Sequence, residues 1–241
     1  MNKIIKLEDA IAKIQSGSSL MVSGFLGVGT PINMINKLSE TDIKDLTLIM
    51  PVSSYPGVKH DIGNLVANKQ VKKFIGAHIG TSKELSKAYL SGEVEVDFIP
   101  MGTFIEAIHA KGAGLGGVLT PVGVGTLQEE KHQKFEINSK EYLYYEPLGA
   151  DIALIKGAIA DKSGNITARG TSKSTILPMA LASKMVIAEV NEIVEVGEIA
   201  PDDVIVPGIL VDYVVQGFTL EESHDYYNQL WSSTNVLRKE K

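Results

Sequence analysis

The chain has 241 residues, 44% of them hydrophobic and 22% charged, which is ample for a buried core and excludes wholesale disorder. Its net charge is −6 and it has no basic run, which argues against nucleic-acid binding by phosphate neutralisation. With no cysteine, disulfides, zinc–thiolate sites, iron–sulfur clusters and thiol nucleophiles are all excluded. Lys3, Lys6, Glu8, Asp9 and Lys13 interrupt the N-terminal apolar residues, so no signal peptide is expected and a cytoplasmic location is. No stretch approaches the roughly 20 apolar residues of a membrane helix.

Apolar spacing at Leu7, Ala10, Ile11 and Ile14 predicts a helix over 7–14, stopped by Gly17. Residues 19–22 read as a buried strand. A helix follows over 31–38, with Pro31 in its first turn. Strands are predicted over 46–50, 71–75 and 94–99, and helices over 83–90 and 103–110. Between 112 and 125, six of fourteen residues are glycine. An inserted antiparallel hairpin is expected next, with strands 135–137 and 142–145 and an Asn138-Ser139 turn. Strands over 152–159, 185–190 and 204–209 and a helix over 174–181 complete the pattern. Strands alternating with helices over short loops imply an α/β fold, a mostly parallel sheet covered by helices. No repeat or linker divides residues 1–216, which are read as one domain. Residues 217–241 form a C-terminal extension. Thr219 and Glu222 there match a capping box, and Leu220, Tyr227, Leu230 and Trp231 form a stripe, so a helix is expected, docked on its own domain or on another subunit.

In parallel sheets ligands sit beyond the carboxyl ends of strands. Three such segments stand out. Ser23, Gly24, Phe25, Leu26, Gly27, Val28 and Gly29 lie between a predicted strand and a predicted helix. Glycines admit close backbone approach and the helix N-terminus adds positive charge, which suits a phosphate or an oxyanion; a tight strand–helix turn needs the same residues. The segment is no dinucleotide fingerprint, because Ile32 stands where the third glycine is required, and no Walker lysine follows. The second segment holds Met101, Gly102 and, one turn on, Glu106; the third is the run with Gly114 and Gly116. His60, His78, His109, His132 and His224 show no metal spacing, so no metal is expected; His78 is the best placed of them. There is no Gly-x-Ser-x-Gly elbow.

The run from Leu20 to Pro31 resembles the signature of the alpha subunit of family I coenzyme A transferases, in which three apolar residues precede Gly-Gly-Phe, three residues and Gly-x-Pro. The resemblance continues through His78-Ile-Gly-Thr81, Pro100-x-Gly-Thr-x-x-Glu106, Gly112-Ala-Gly-Leu-Gly-Gly117, Thr120-Pro-x-Gly-x-Gly-Thr126, Ala150-Asp-x-Ala-Leu-Ile155 and Pro207-Gly-x-Leu-Val-Asp212. It spans about residues 3–216. Within the family, the chain looks most like the alpha subunits of acetate/butyrate–acetoacetate CoA-transferases.

This resemblance implies a two-subunit enzyme, expected as α2β2, with coenzyme A as substrate and no permanently bound cofactor. A beta-subunit glutamate in a Ser-Glu-Asn-Gly motif attacks the acyl-CoA thioester. This chain has no such motif and so no catalytic nucleophile. It also implies that residues 23–29 bind CoA and the oxyanion, and that Met101, Gly102, Glu106, Gly114 and Gly116 line the acyl pocket. Departures are Ser23 for the first glycine, Ser16 for an Asp or Asn, Met101 for glutamine, His109 and Lys111 for Arg and Gly, and no Asn-Asp in residues 50–54. Methionine donates no hydrogen bond, which keeps a CoA-thioester hydrolase or decarboxylase as an alternative. A ligand-binding regulatory domain is the alternative from another class. Neither a nucleic acid nor a membrane is expected as a partner.

Overall fold

Successive side chains of a strand point to opposite faces, so a sheet covered on both sides needs strands that are apolar throughout. The computed structural model, which describes residues 2–234, is built this way. The elements run α1 (Leu7–Ile11), β1 (Ser19–Val22), α2 (Ile32–Ser39), β2 (Leu46–Ile49), α3 (Ile62–Ala67), β3 (Val71–Gly76), α4 (Lys83–Leu90), β4 (Glu95–Phe98) and α5 (Met101–Gly112). Then come β5 (Val118–Thr120), β6 (Lys134–Ile137), β7 (Lys140–Tyr145), β8 (Ala150–Lys156), β9 (Ile159–Asp161), α6 (Ile176–Leu181), β10 (Ser183–Val190), β11 (Glu192–Val194), β12 (Tyr213–Gln216) and α7 (Leu220–Thr234).

Seven strands make one parallel sheet in the order β12-β10-β8-β1-β2-β3-β4. Leu20, Val22, Leu48, Ile152 and Leu154 point to one face, where they pack with Met34 and Ile35 of α2, Leu65 of α3 and Leu85 of α4. Met21, Ile49, Ala153 and Ile155 point to the other, against Phe104 and Ile108 of α5 and Met179 of α6. The chain steps outward from β1 to β4, returns to the centre, and steps outward the other way through β8, β10 and β12. The reversal falls between β1 and β8, where an open α/β sheet leaves a crevice beyond its strand ends.

The hairpin insertion is present: β6 and β7 pair antiparallel, and Asn138 (φ 53°) and Ser139 (φ 59°) make the two positive-φ positions of a tight hairpin turn. A third strand, β5, joins them. Three predictions differ from the structure. Residues 204–209 are no strand: Pro207 cannot donate to a ladder, only Val206 makes a bridge, and the final strand is β12 instead. The strand over 152–159 is two strands, parted at Gly157, whose added Cβ would lie 2.3 Å from Ile166. Helix α3 was not predicted, although Ile62, Leu65 and Val66 carry helical spacing. Of the expected extension 217–241, Leu220–Thr234 are helical, the Thr219–Glu222 capping box is formed, and 235–241 lie outside the described residues.

Candidate functional site

Because the seven strands are parallel, their carboxyl ends share one edge, and the segment after β1 stands at its centre. Ser23 donates its hydroxyl to the Gly29 carbonyl (2.8 Å) and accepts from the Lys156 N–H (2.9 Å), while its own N–H bonds the Leu154 carbonyl. It therefore ties both ends of the segment to β8 across the reversal point. Between these ties Phe25 and Val28 exchange N–H···O bonds of 2.9 and 3.0 Å, closing a two-residue turn. Leu26 (φ 50°) and Gly27 (φ 80°) occupy its corners. Gly24 is required: its φ is 121°, and a Cβ would lie 2.4 Å from Thr30 Oγ1. The turn presents Phe25 and Val28 to solvent, 45% and 40% exposed.

The floor beneath the turn comes from residues 53–61. A Cβ on Gly27 would meet Tyr55 at 2.9 Å and Asp61 Oδ2 at 3.4 Å. Asp61 is wholly buried, sits at φ 42°, and accepts from the N–H groups of Tyr55 and Ile62. Burial pushes its carboxyl up to about 6. His60 is buried too, and burial lowers its imidazole to about 4. Ser53 bonds Thr81 Oγ1 at 3.0 Å, joining this segment to the one after β3, where His78 is exposed at the edge.

At the N-terminus of α2 a side chain of the protein itself takes up a backbone donor. The buried Glu189 carboxylate already accepts from the Met34 N–H at 2.9 Å. Glu189 stands 3.7 Å from Lys156 Nζ; burial pushes the glutamate up and the lysine down, against their mutual attraction. The pair borders a cavity of about 140 Å³ lined also by Gly29, Thr30, Arg169, Ser172 and, from α7, Tyr227.

The open helix N-terminus at this edge is that of α5. Pro100 caps it without a side-chain hydrogen bond, Met101 is 42% exposed, and a Cβ on Gly102 would meet nothing within 4 Å. Glu106 lies about 6 Å beyond Gly102 along the axis, at 1.5 Å per residue, and faces solvent beside His109 (3.4 Å). Gly114 and Gly116 are not brought to this edge. They follow the far end of α5, beyond Gly112, whose Cβ would meet Leu181 and Ala182 near the start of β10. Two glycines of this run have a conformational or packing role. Gly114 (φ 69°) ends the helix, and Gly117 (φ 150°) leaves room for Tyr144, whose hydroxyl bonds the Gly116 carbonyl. Among the described residues no group of three or more His, Asp or Glu side chains is placed to hold a metal ion.

Sequence reasoning missed Ser53, Asp61, Lys156 and Glu189, and it placed Tyr227 on the apolar stripe of a docked helix without its contact to the glycine turn. Lys156 and Glu189 had a signal, a charge near the carboxyl end of a mostly apolar strand; Ser53 and Asp61 had none.

A family model described as Coenzyme A transferase matches residues 4–217. The acetoacetyl-CoA:acetate/butyrate CoA transferase alpha subunit of Clostridium acetobutylicum is 42% identical over 215 residues, 89% of this chain and 98% of that protein. The acetate CoA-transferase subunit alpha of Escherichia coli K12 is 40% identical over 213 residues, 88% of this chain and 96% of its own length. An acyl-CoA transferase of E. coli O157:H7, solved as a thioester complex with CoA, matches with a TM-score of 0.81 over 90% of this chain and 47% of that one at 23% identity, a likeness of fold. The matched span holds the whole seven-stranded sheet, the glycine turn and the α5 N-terminus, and ends before α7. The chain belongs to the coenzyme A transferase family.

Proposed function

We propose that this chain is the alpha subunit of a two-subunit CoA-transferase, assembled as α2β2 in the cytoplasm, that moves CoA between short-chain carboxylic acids or 3-oxoacids. The observation that carries the reading is the exposed, hydrogen-bonded glycine turn at the sheet's reversal point, in a chain that lacks the Ser-Glu-Asn-Gly motif. The reading takes the attacking glutamate from a beta subunit. Its carboxylate adds to the acyl-CoA thioester, CoA thiolate leaves, and an acyl–glutamyl anhydride forms. The thiolate then attacks the glutamyl carbonyl, releasing the first acid and leaving a glutamyl–CoA thioester, which a second acid consumes by the reverse steps.

A carboxylate nucleophile needs little activation; the demanding item is the negative charge on the tetrahedral oxygen, which needs fixed donors. In this reading residues 23–29 seat CoA, with Phe25 and Val28 against its apolar arm. The uncapped N-terminus of α5, at Met101 and Gly102, supplies N–H groups and partial positive charge for the oxyanion. Glu106 borders the acyl side. Two features narrow the cradle expected of residues 23–29. Phe25 and Val28 spend their N–H groups on each other, and the α2 N-terminus is filled by Glu189. The test is co-expression with a beta subunit carrying the glutamate, followed by loss of acetoacetyl-CoA with acetate, butyrate and other short acids. Transfer to at least one acid is expected; no transfer across the panel contradicts the reading.

A further inference from the structure

Helix α7 lies beyond the span matched to the family, yet it meets the glycine turn directly. The Tyr227 hydroxyl donates to the Gly27 carbonyl at 2.7 Å. On either side, Tyr226 Oη lies 3.1 Å from His60 Nδ1, and Thr234 Oγ1 lies 2.9 Å from Tyr55 Oη. At the helix start, Asn191 Nδ2 reaches Ser223 Oγ (2.9 Å) and the Phe218 carbonyl (2.6 Å). Tyr227 is packed between the rings of Tyr226 and Trp231, at 5.4 and 5.8 Å, and burial keeps its phenol protonated, a donor at any working pH. No residue from Leu220 to Thr234 is fully buried, so α7 is held by these discrete contacts and not by a shared core.

The turn needs an outside tie. Leu26 stands at φ 50°, a conformation that side chains other than glycine, Asn and Asp rarely hold unless the surroundings fix it. Gly27 is buried, and a buried carbonyl needs a donor. Ser23 fixes the base of the turn and the Phe25–Val28 pair closes it; at the Gly27 corner the donor comes from α7.

We propose that α7 is an intrachain clamp on the glycine turn and that Tyr227 is a positioning residue for CoA transfer, acting through the Gly27 carbonyl. The second half rests on the function proposed above; the first half stands on geometry alone. The clamp fixes the corner on which Phe25 and Val28 are presented, so its loss loosens the seat of the thioester without removing any group that touches it.

The test uses the α/β complex with Tyr227→Phe, with a chain ending at Gly217, and with Gln229→Ala on the exposed face of α7 as control. Deuterium exchange in the peptide covering 23–30 reports the turn directly. Tyr227→Phe should raise exchange at the Phe25 and Val28 amides and lower kcat, each by about 5-fold, the worth of one neutral hydrogen bond, with KM for the acid unchanged. The shortened chain should exceed both effects and Gln229→Ala should show neither. Equal exchange in wild type and Tyr227→Phe overturns the clamp, whatever the activity and whether or not the shortened chain folds. Faster exchange with unchanged kcat overturns the positioning role. A wild-type complex inactive on every acid sinks the function reading, while exchange still decides the clamp.

Discussion

Replacing Ser23 by alanine isolates the tie that holds the glycine turn at the centre of the sheet. The side chain is fully buried and serves two backbone groups, donating to the Gly29 carbonyl at 2.8 Å and accepting from the Lys156 N–H at 2.9 Å. Alanine fits the space but leaves one carbonyl and one N–H without partners, and the gap left by an oxygen is too small for water. Each orphaned buried group costs about 1–3 kcal/mol, so with partial relaxation the variant should lose about 2–4 kcal/mol. At about 2–4 °C per kcal/mol for a chain of this size, the melting temperature should drop by about 4–16 °C. Ser23→Gly, which restores the residue of the resembling family, should be no better, because it loses the same two bonds and adds about 0.5–1 kcal/mol of backbone freedom. Urea titration followed by circular dichroism and tryptophan fluorescence measures both variants. A loss under about 0.5 kcal/mol in Ser23→Ala would show that the hydroxyl does not hold the turn, and the reasoning from buried unpaired groups would fail at this site.

Three further outcomes are expected. Gly24→Ala places a Cβ 2.4 Å from Thr30 Oγ1 at φ 121° and should cost about 2–3 kcal/mol or more, read by the same titration, with a loss of transfer activity. Met101→Gln puts an amide donor beside the open α5 N-terminus and should raise kcat by about 10-fold; a fall would show a pocket shaped to methionine. Stability against pH separates the two buried groups under the turn. His60 is lowered from 6.5 to about 4, so its contribution is present above pH 6.5 and lost as pH falls toward 4. Asp61 is raised from 3.8 to about 6, so its contribution is full below pH 3.8 and lost as pH rises through 6. The two slopes oppose each other between pH 4 and 6. In His60→Gln the acid-side loss should disappear and stability should rise on acidification toward pH 4; an unchanged profile would contradict the burial argument.

The sheet was legible because its strands alternate in register with their burial. Leu20 and Val22 face one layer and Met21 the other, and apolar runs such as 46–49 and 152–155 belong to strands covered on both sides. Helix α4 was bounded by its own cap, Ser82, and the hairpin by Asn138-Ser139. Elements failed where a local signal had two meanings. The apolar run 204–209 reads as a strand until Pro207 is given its cost. At the candidate site, the turn after β1 was legible from its glycines and its place after a strand. Its closure was not, since the contacts that decide it join distant residues. Glu189 fills the α2 N-terminus from 155 positions away, and Tyr227 holds Gly27 from 200. No spacing rule encodes such pairs.

The division of labour between two polypeptides is tested most directly by comparing acetoacetyl-CoA turnover of the purified chain alone, of the complex with its beta subunit, and of a complex whose beta-subunit glutamate is replaced by glutamine. The account predicts transfer by the intact complex only. Turnover by the isolated chain at the rate of the complex, or full activity after loss of that glutamate, would contradict it.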